Sequence, residues 1–130
     1  MTLANVRDWL KSLNSAEHYY IGKLDNKQEK SLGVYQRDAG TYNMALGGPS
    51  CNKSQVKRIT ILLHWNKNAN ETEIAGQELY EKIITTLRPE IGGHHVHCII
   101  MQHAEAVDVG TDEHGVYERV IQLDIYYERR

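Results

Sequence analysis

The sequence predicts an α+β fold: a single domain with a mixed, mainly antiparallel sheet of about five strands, element order α-β-β-β-α-β-β, and helices packed on one face. Three observations carry this expectation. Leu3, Val6, Leu10 and Leu13 recur at helical spacing, as do Ala75, Leu79, Ile83 and Leu87. KRITILLHW (57–65) and VYERVIQLDIYYER (116–129) alternate with a period of two. Helices near the start and middle of a run of strands, without a regular β-α repeat, fit a sheet covered from one side.

The first helix spans 3–13, with Arg7, Asp8, Lys11 and Ser12 opposite the apolar stripe and Trp9 widening it. Two extended segments follow, His18 to Leu24 and Ser31 to Arg37, joined by DNKQEK; its Asp and Asn favour a turn, and the pair reads as a hairpin. Residues 38–56, DAGTYNMALGGPSCNKSQV, contain three glycines and a proline and show no period. A connection this long is uncommon in a compact domain, which makes it a candidate contact surface. In KRITILLHW both faces are largely apolar, so the strand belongs in the middle of the sheet. In the second helix Asn70 is the expected cap, with Glu73 three residues on, and Pro89 ends it. His94 to His103 reads as a strand, 110–115 as a polar turn, and 116–129 as the last strand. In that strand Tyr117, Ile121, Leu123, Ile125 and Tyr127 share a face that only Arg119 interrupts. Glu118, Gln122, Asp124 and Tyr126 share the other, toward water or a partner. Fourteen residues reach about 45 Å, so the strand is expected to be bulged or to project beyond the domain.

Composition narrows the function classes. A chain of 130 residues can bury about two thirds of its unfolded surface in one core. Fifteen basic against seventeen acidic residues leave a charge of −2, which gives no support to sequence-specific nucleic-acid binding. No apolar run reaches the roughly 18 to 20 residues of a membrane span. MTLANVRDWLKSL carries charges where a signal peptide needs an apolar stretch, so synthesis and assembly in the cytoplasm are expected. Cys51 and Cys98 are far apart with no CxxC spacing and are expected as free thiols, Cys98 as a small core hydrophobe.

GGHHVHCIIMQH (92–103) concentrates four of the seven histidines and raises the question of a metal. His95, His97 and His103 would share one face of a regular strand, with His94 on the other, and His64 on a neighbouring strand could join them. Against a site, Ile99 and Met101 turn the same face toward the core, and no HExxH, paired CxxC or carboxylate cluster accompanies the histidines. The expectation is no metal, no cofactor and no catalytic residues, with His95, His97 and His64 as the residues to watch. LGGPS (46–50) leads into a strand and lacks the Lys and Ser/Thr of a phosphate loop.

YYIGKLDNKQEKSLGVYQR (19–37) and GVYERVIQLDIYYER (115–129) resemble the minor capsid proteins of long-tailed bacteriophages and prophages, the tail terminator family. An early "IGKLD…SLGVY" and a closing strand rich in Tyr, Glu and Arg carry the resemblance, and length and element order extend it over residues 1–130. It implies a structural virion protein and no enzyme. Such subunits form a homohexameric ring, in some cases from monomers, that caps the tail tube, ends its polymerisation and joins tail to head. The partners implied are copies of itself, the tube protein and head–tail connector proteins. The expected contact residues are Tyr42, Met44, Leu46 and Pro49 in the loop and Glu118, Gln122, Asp124 and Tyr126 on the last strand. Two alternatives stay open: a head-completion or connector protein, and a small metalloenzyme using the histidines.

Overall fold

The structure is a computed structural model that describes residues 1–25, 27–39, 46–47 and 54–129. Its elements in chain order are α1 (Leu3–Ser12), β1 (His18–Ile21), β2 (Ser31–Gln36), β3 (Ser54–His64), α2 (Ala69–Thr85), β4 (Glu90–Ile91), β5 (His94–Met101), β6 (Val107–Thr111) and β7 (Tyr117–Glu128). The α+β class and the mostly antiparallel sheet hold, but among the described residues the sheet has seven strands where about five were expected, in the order β1-β2-β3-β7-β5-β4 with β6 also on β7.

The centre of the sheet is the antiparallel ladder between β3 and β7, paired without a break from Ser54↔Glu128 to His64↔Glu118. β3 thus takes one whole edge of β7. β5 and β6 share the other edge in tandem, β5 along Leu123–Tyr127 and β6 along Tyr117–Val120. The last strand neither bulges in this ladder nor projects, because the eleven-residue β3 matches its length.

One face of this ladder is the core. Ile59, Ile61 and Leu63 of β3, Ile121, Leu123 and Ile125 of β7, and Leu32 and Val34 of β2 are buried with Val6, Trp9 and Leu10 of α1 and Ala75, Leu79 and Ile83 of α2. Both helices therefore pack on the same side. Lys82 ties them together, its Nζ donating to the Leu13 carbonyl at 3.0 Å. Arg119, the interruption in the apolar face of β7, is accommodated by its own amphipathic shape. Its guanidinium donates to the Ala106 carbonyl at 3.1 Å and to Glu73 at 3.3 Å. A Cβ on Gly76 would stand 3.3 Å from Arg119 Cδ and 3.0 Å from Ala106 Cβ, so this helical glycine sets how closely α2 approaches β7.

The segments expected as a hairpin are parallel instead, with His18↔Ser31 to Ile21↔Val34. Gly22 adopts φ +68° and donates to the Val34 carbonyl, and Asp25 closes a turn on Lys27 and Gln28. Leu24 is then buried over Gly33, where a Cβ would meet it at 2.9 Å. Gly33 pairs with Leu62 on the side away from the helices, so the connection crosses that side and re-enters in the original direction. The turn residues were legible, but what they turn onto was set by Leu24 and Gly33.

Three further expectations change. The cap of α2 is Asn68, whose side chain accepts from the N–H of Asn70 and Glu71 at 3.1 Å, so Asn70 lies inside the helix. The helix ends at Thr85, and Leu87 stands exposed beyond it. Gly92 and Gly93, with φ +60° and +79°, form the two-residue turn between β4 and β5, and β6 forms a second hairpin with β7 around Asp112–Val116.

Candidate functional site

The face of the sheet opposite the helices carries Glu118, Val120, Gln122, Asp124 and Tyr126 of β7, alternating with the core residues as the period of two requires. Register places Arg58 beside Asp124, Thr60 beside Gln122 and Leu62 beside Val120. On the other edge of β7, Cys98 stands beside Tyr126, Ile100 beside Asp124 and Val107 beside Val120. At the His64 end the face is partly covered by Leu24, over Gly33, and by Asp112 of the turn between β6 and β7. Among the described residues no helix covers the rest of it; Ile100, beside Asp124, is 48% exposed and Val107, beside Val120, 37%.

Asp124 is not the solvated carboxylate the alternation suggests; it is 7% exposed. Arg37, at the end of β2, reaches across β3 to pair with it, and Gln102 Nε2 donates to Oδ2 at 3.0 Å. Arg58 Nε lies 4.0 Å from Oδ2 and is buried without a hydrogen-bond partner among the described residues. The cluster fastens β2, β3, β7 and the end of β5 across the open face. Glu118 is likewise engaged, with Oε2 3.1 Å from His64 Nδ1. Of the four predicted contact residues on β7, Gln122 and Tyr126 stay half-exposed while Asp124 and Glu118 serve the fold as well. In the loop, Leu46 is fully exposed, and Tyr42, Met44 and Pro49 lie outside the described residues.

The three candidate histidine ligands are not brought together. The bulge in β5 makes His97 an extra residue, since Val96 pairs with Tyr127 and Cys98 already with Tyr126. Val96 therefore enters the core and both His95 and His97 are exposed, while His64 is buried two strands away on β3. His94 packs its ring edge-on to Tyr127 with centroids 5.1 Å apart. Among the described residues, no three His, Cys, Asp or Glu side chains are arranged to hold a metal ion. The bulge also turns Cys98 outward, so it is exposed and not a core residue; Cys51 lies outside the described residues. Among them, no helix is long and apolar enough to cross a membrane.

A groove of about 270 Å³ runs between the end of α2 and β5, with Ile84, Leu87, Ile99 and Met101 among its walls. Its lining is mainly apolar and assembles no acid–base pair. Sequence reasoning missed this groove because it depends on Leu87 leaving the helix at Thr86. It also missed the Asp124 cluster, which depends on Arg37 arriving from β2. No protein-family model and no curated protein matches the chain.

Proposed function

We propose that this protein is a structural component of a phage or prophage virion, a minor capsid protein or tail terminator. In this reading its copies form a ring, hexameric when assembled, that caps the tail tube, ends its growth and joins tail to head. It resides at the tail or head–tail junction and is assembled in the host cytoplasm. Its partners are copies of itself, the tube protein and connector proteins, and it holds no cofactor and has no reacting centre.

The observation that supports this most is the sheet face that no helix covers. There Ile100 and Val107 stand exposed beside Gln122 and Tyr126 on a rigid ladder of eleven residue pairs. Rings need two different patches on one subunit, and the open sheet face offers one of them. The resemblance of 19–37 and 115–129 to tail terminators points the same way.

Because Glu118 and Asp124 hold the fold, reversing their charges would confound assembly with folding. The sharper variant is Ile100→Lys with Gln122→Lys, on exposed and half-exposed positions. Purified protein is expected to form a six-membered ring, alone or on tube ends, by native mass spectrometry and electron microscopy. The double variant should fold with an unchanged circular dichroism spectrum and fail to join tails. Rings that bind connectors and ignore tube ends would favour the head-completion protein. Stoichiometric zinc, lost on replacing His95 and His97, would favour the metalloenzyme.

A further inference from the structure

His64 ends β3 with none of its surface exposed, and carboxylates from two other places in the chain face its ring. Nδ1 is 3.1 Å from Oε2 of Glu118, its paired residue on β7. Nε2 is 3.8 Å from Oδ2 of Asp112, in the turn between β6 and β7. Nε2 and Oδ2 are both buried, and neither has a hydrogen-bond partner among the described residues. The other oxygen of Asp112 is committed to the turn, accepting the backbone N–H of His114 and of Val116, each at 2.9 Å. From β2, the remaining neighbour, Ser31 pairs with His64 and gives its hydroxyl to the Gln28 carbonyl, and the Tyr35 phenol lies within electrostatic range of Glu118. Burial pushes that phenol above its ordinary value, so it stays uncharged where imidazoles titrate.

Ionised carboxylates only accept hydrogen bonds, and a neutral imidazole has a single N–H to give. Burial opposes the ionisation of Asp112. The Val116 and His114 N–H groups and the attraction of His64 and His114 outweigh it and hold the carboxyl below its usual value. A ring with one proton would therefore turn a lone pair toward a buried carboxylate, which is costly. A ring with two protons meets both carboxylates.

We propose that His64 is a proton latch: as an imidazolium it donates Nδ1–H to Glu118 and pairs through Nε2–H with Asp112, and losing the second proton frees the 112–116 turn from β3. This gives the protein a pH-responsive hairpin, whatever its assembly role. The latch acts at a buried contact and needs no ligand.

The test follows the His64 ring nitrogens of ¹⁵N-labelled protein by NMR from about pH 5 to about pH 9, with amide hydrogen exchange at Val116 measured at the same points. Both ring nitrogens should carry protons at the acid end of this range. When the second proton leaves, Val116 should exchange about tenfold faster than the rise in base accounts for. Asp112→Asn gives a second readout. Its Oδ1 can still accept from the turn amides while its Nδ2–H donates to a neutral Nε2, so the step at Val116 should disappear. A ring with a single proton across the whole range would overturn the latch, and so would a second proton that comes and goes without changing Val116 exchange.

Discussion

Gly92 and Gly115 both occupy the left-handed region, at φ +60° and +82°, but their surroundings differ. A Cβ on Gly92 would fall 2.4 Å from Asn5 Cγ, in the side chain that accepts the Thr2 N–H and closes the capping box of α1. A Cβ on Gly115 would meet nothing within 4 Å. Gly115→Ala is therefore expected to cost about 1 kcal/mol, for the backbone alone. Gly92→Ala should cost about 2 to 3 kcal/mol because the cap is displaced as well. Urea unfolding midpoints of the two variants check the difference. Asp112 sets an acid limit. Its folded carboxyl lies below the unfolded value, so its contribution to stability is present above about pH 4 and is lost as the pH falls through the folded value. Asp112→Asn should flatten the pH dependence of the melting temperature below about pH 4; an unchanged slope would count against it. At this scale the sequence is a partial guide. Alternation assigned Asp124 to a face, but no local pattern shows that Arg37, 87 positions away, comes to neutralise it.

The two helices and strands β3 and β7 were legible because each is long enough for its period to emerge above local noise. β4 and β6 were not, having two and five residues and no alternating burial. The Gly92–Gly93 pair carried a hairpin signal that length alone obscured. The parallel pairing of β1 with β2 was beyond local reading, since turn chemistry at 25–28 fits a reversal, and the burial of Leu24 over Gly33 decides against it. The histidine strand shows how one extra residue defeats a periodic argument: up to His95 the parity is regular, and past His97 it has flipped. Helix capping gives a test at this scale. Asn68→Ala should lower stability by about 1 kcal/mol, while Asn70→Ala, at the position the capping-box spacing favoured, should change it by less than about 0.5 kcal/mol. Thermal melts of the two variants distinguish the observed cap from the expected one.

Across the whole molecule, the β3–β7 ladder divides the protein into a packed side and an open side. Ile121 is 2% exposed on the packed side, and its neighbour Val120 is half-exposed on the open one. Ile121→Ala should cost about 3 kcal/mol and Val120→Ala less than about 1 kcal/mol, as denaturant titration would show. The division also explains what sequence reasoning could reach of the candidate surface: which residues of β7 face outward, but not which of them the fold had already engaged. The same ladder has a consequence for how the protein comes into being. Its two strands are the middle of the sheet, yet Tyr117–Glu128 is translated long after Ser54–His64. A nascent chain therefore carries β3 with a bare edge until β7 has been made, and contacts so distant along the chain form slowly. The open face proposed for joining other copies is built only once Tyr117–Glu128 has paired with Ser54–His64, so a chain that has not yet reached β7 cannot offer that face.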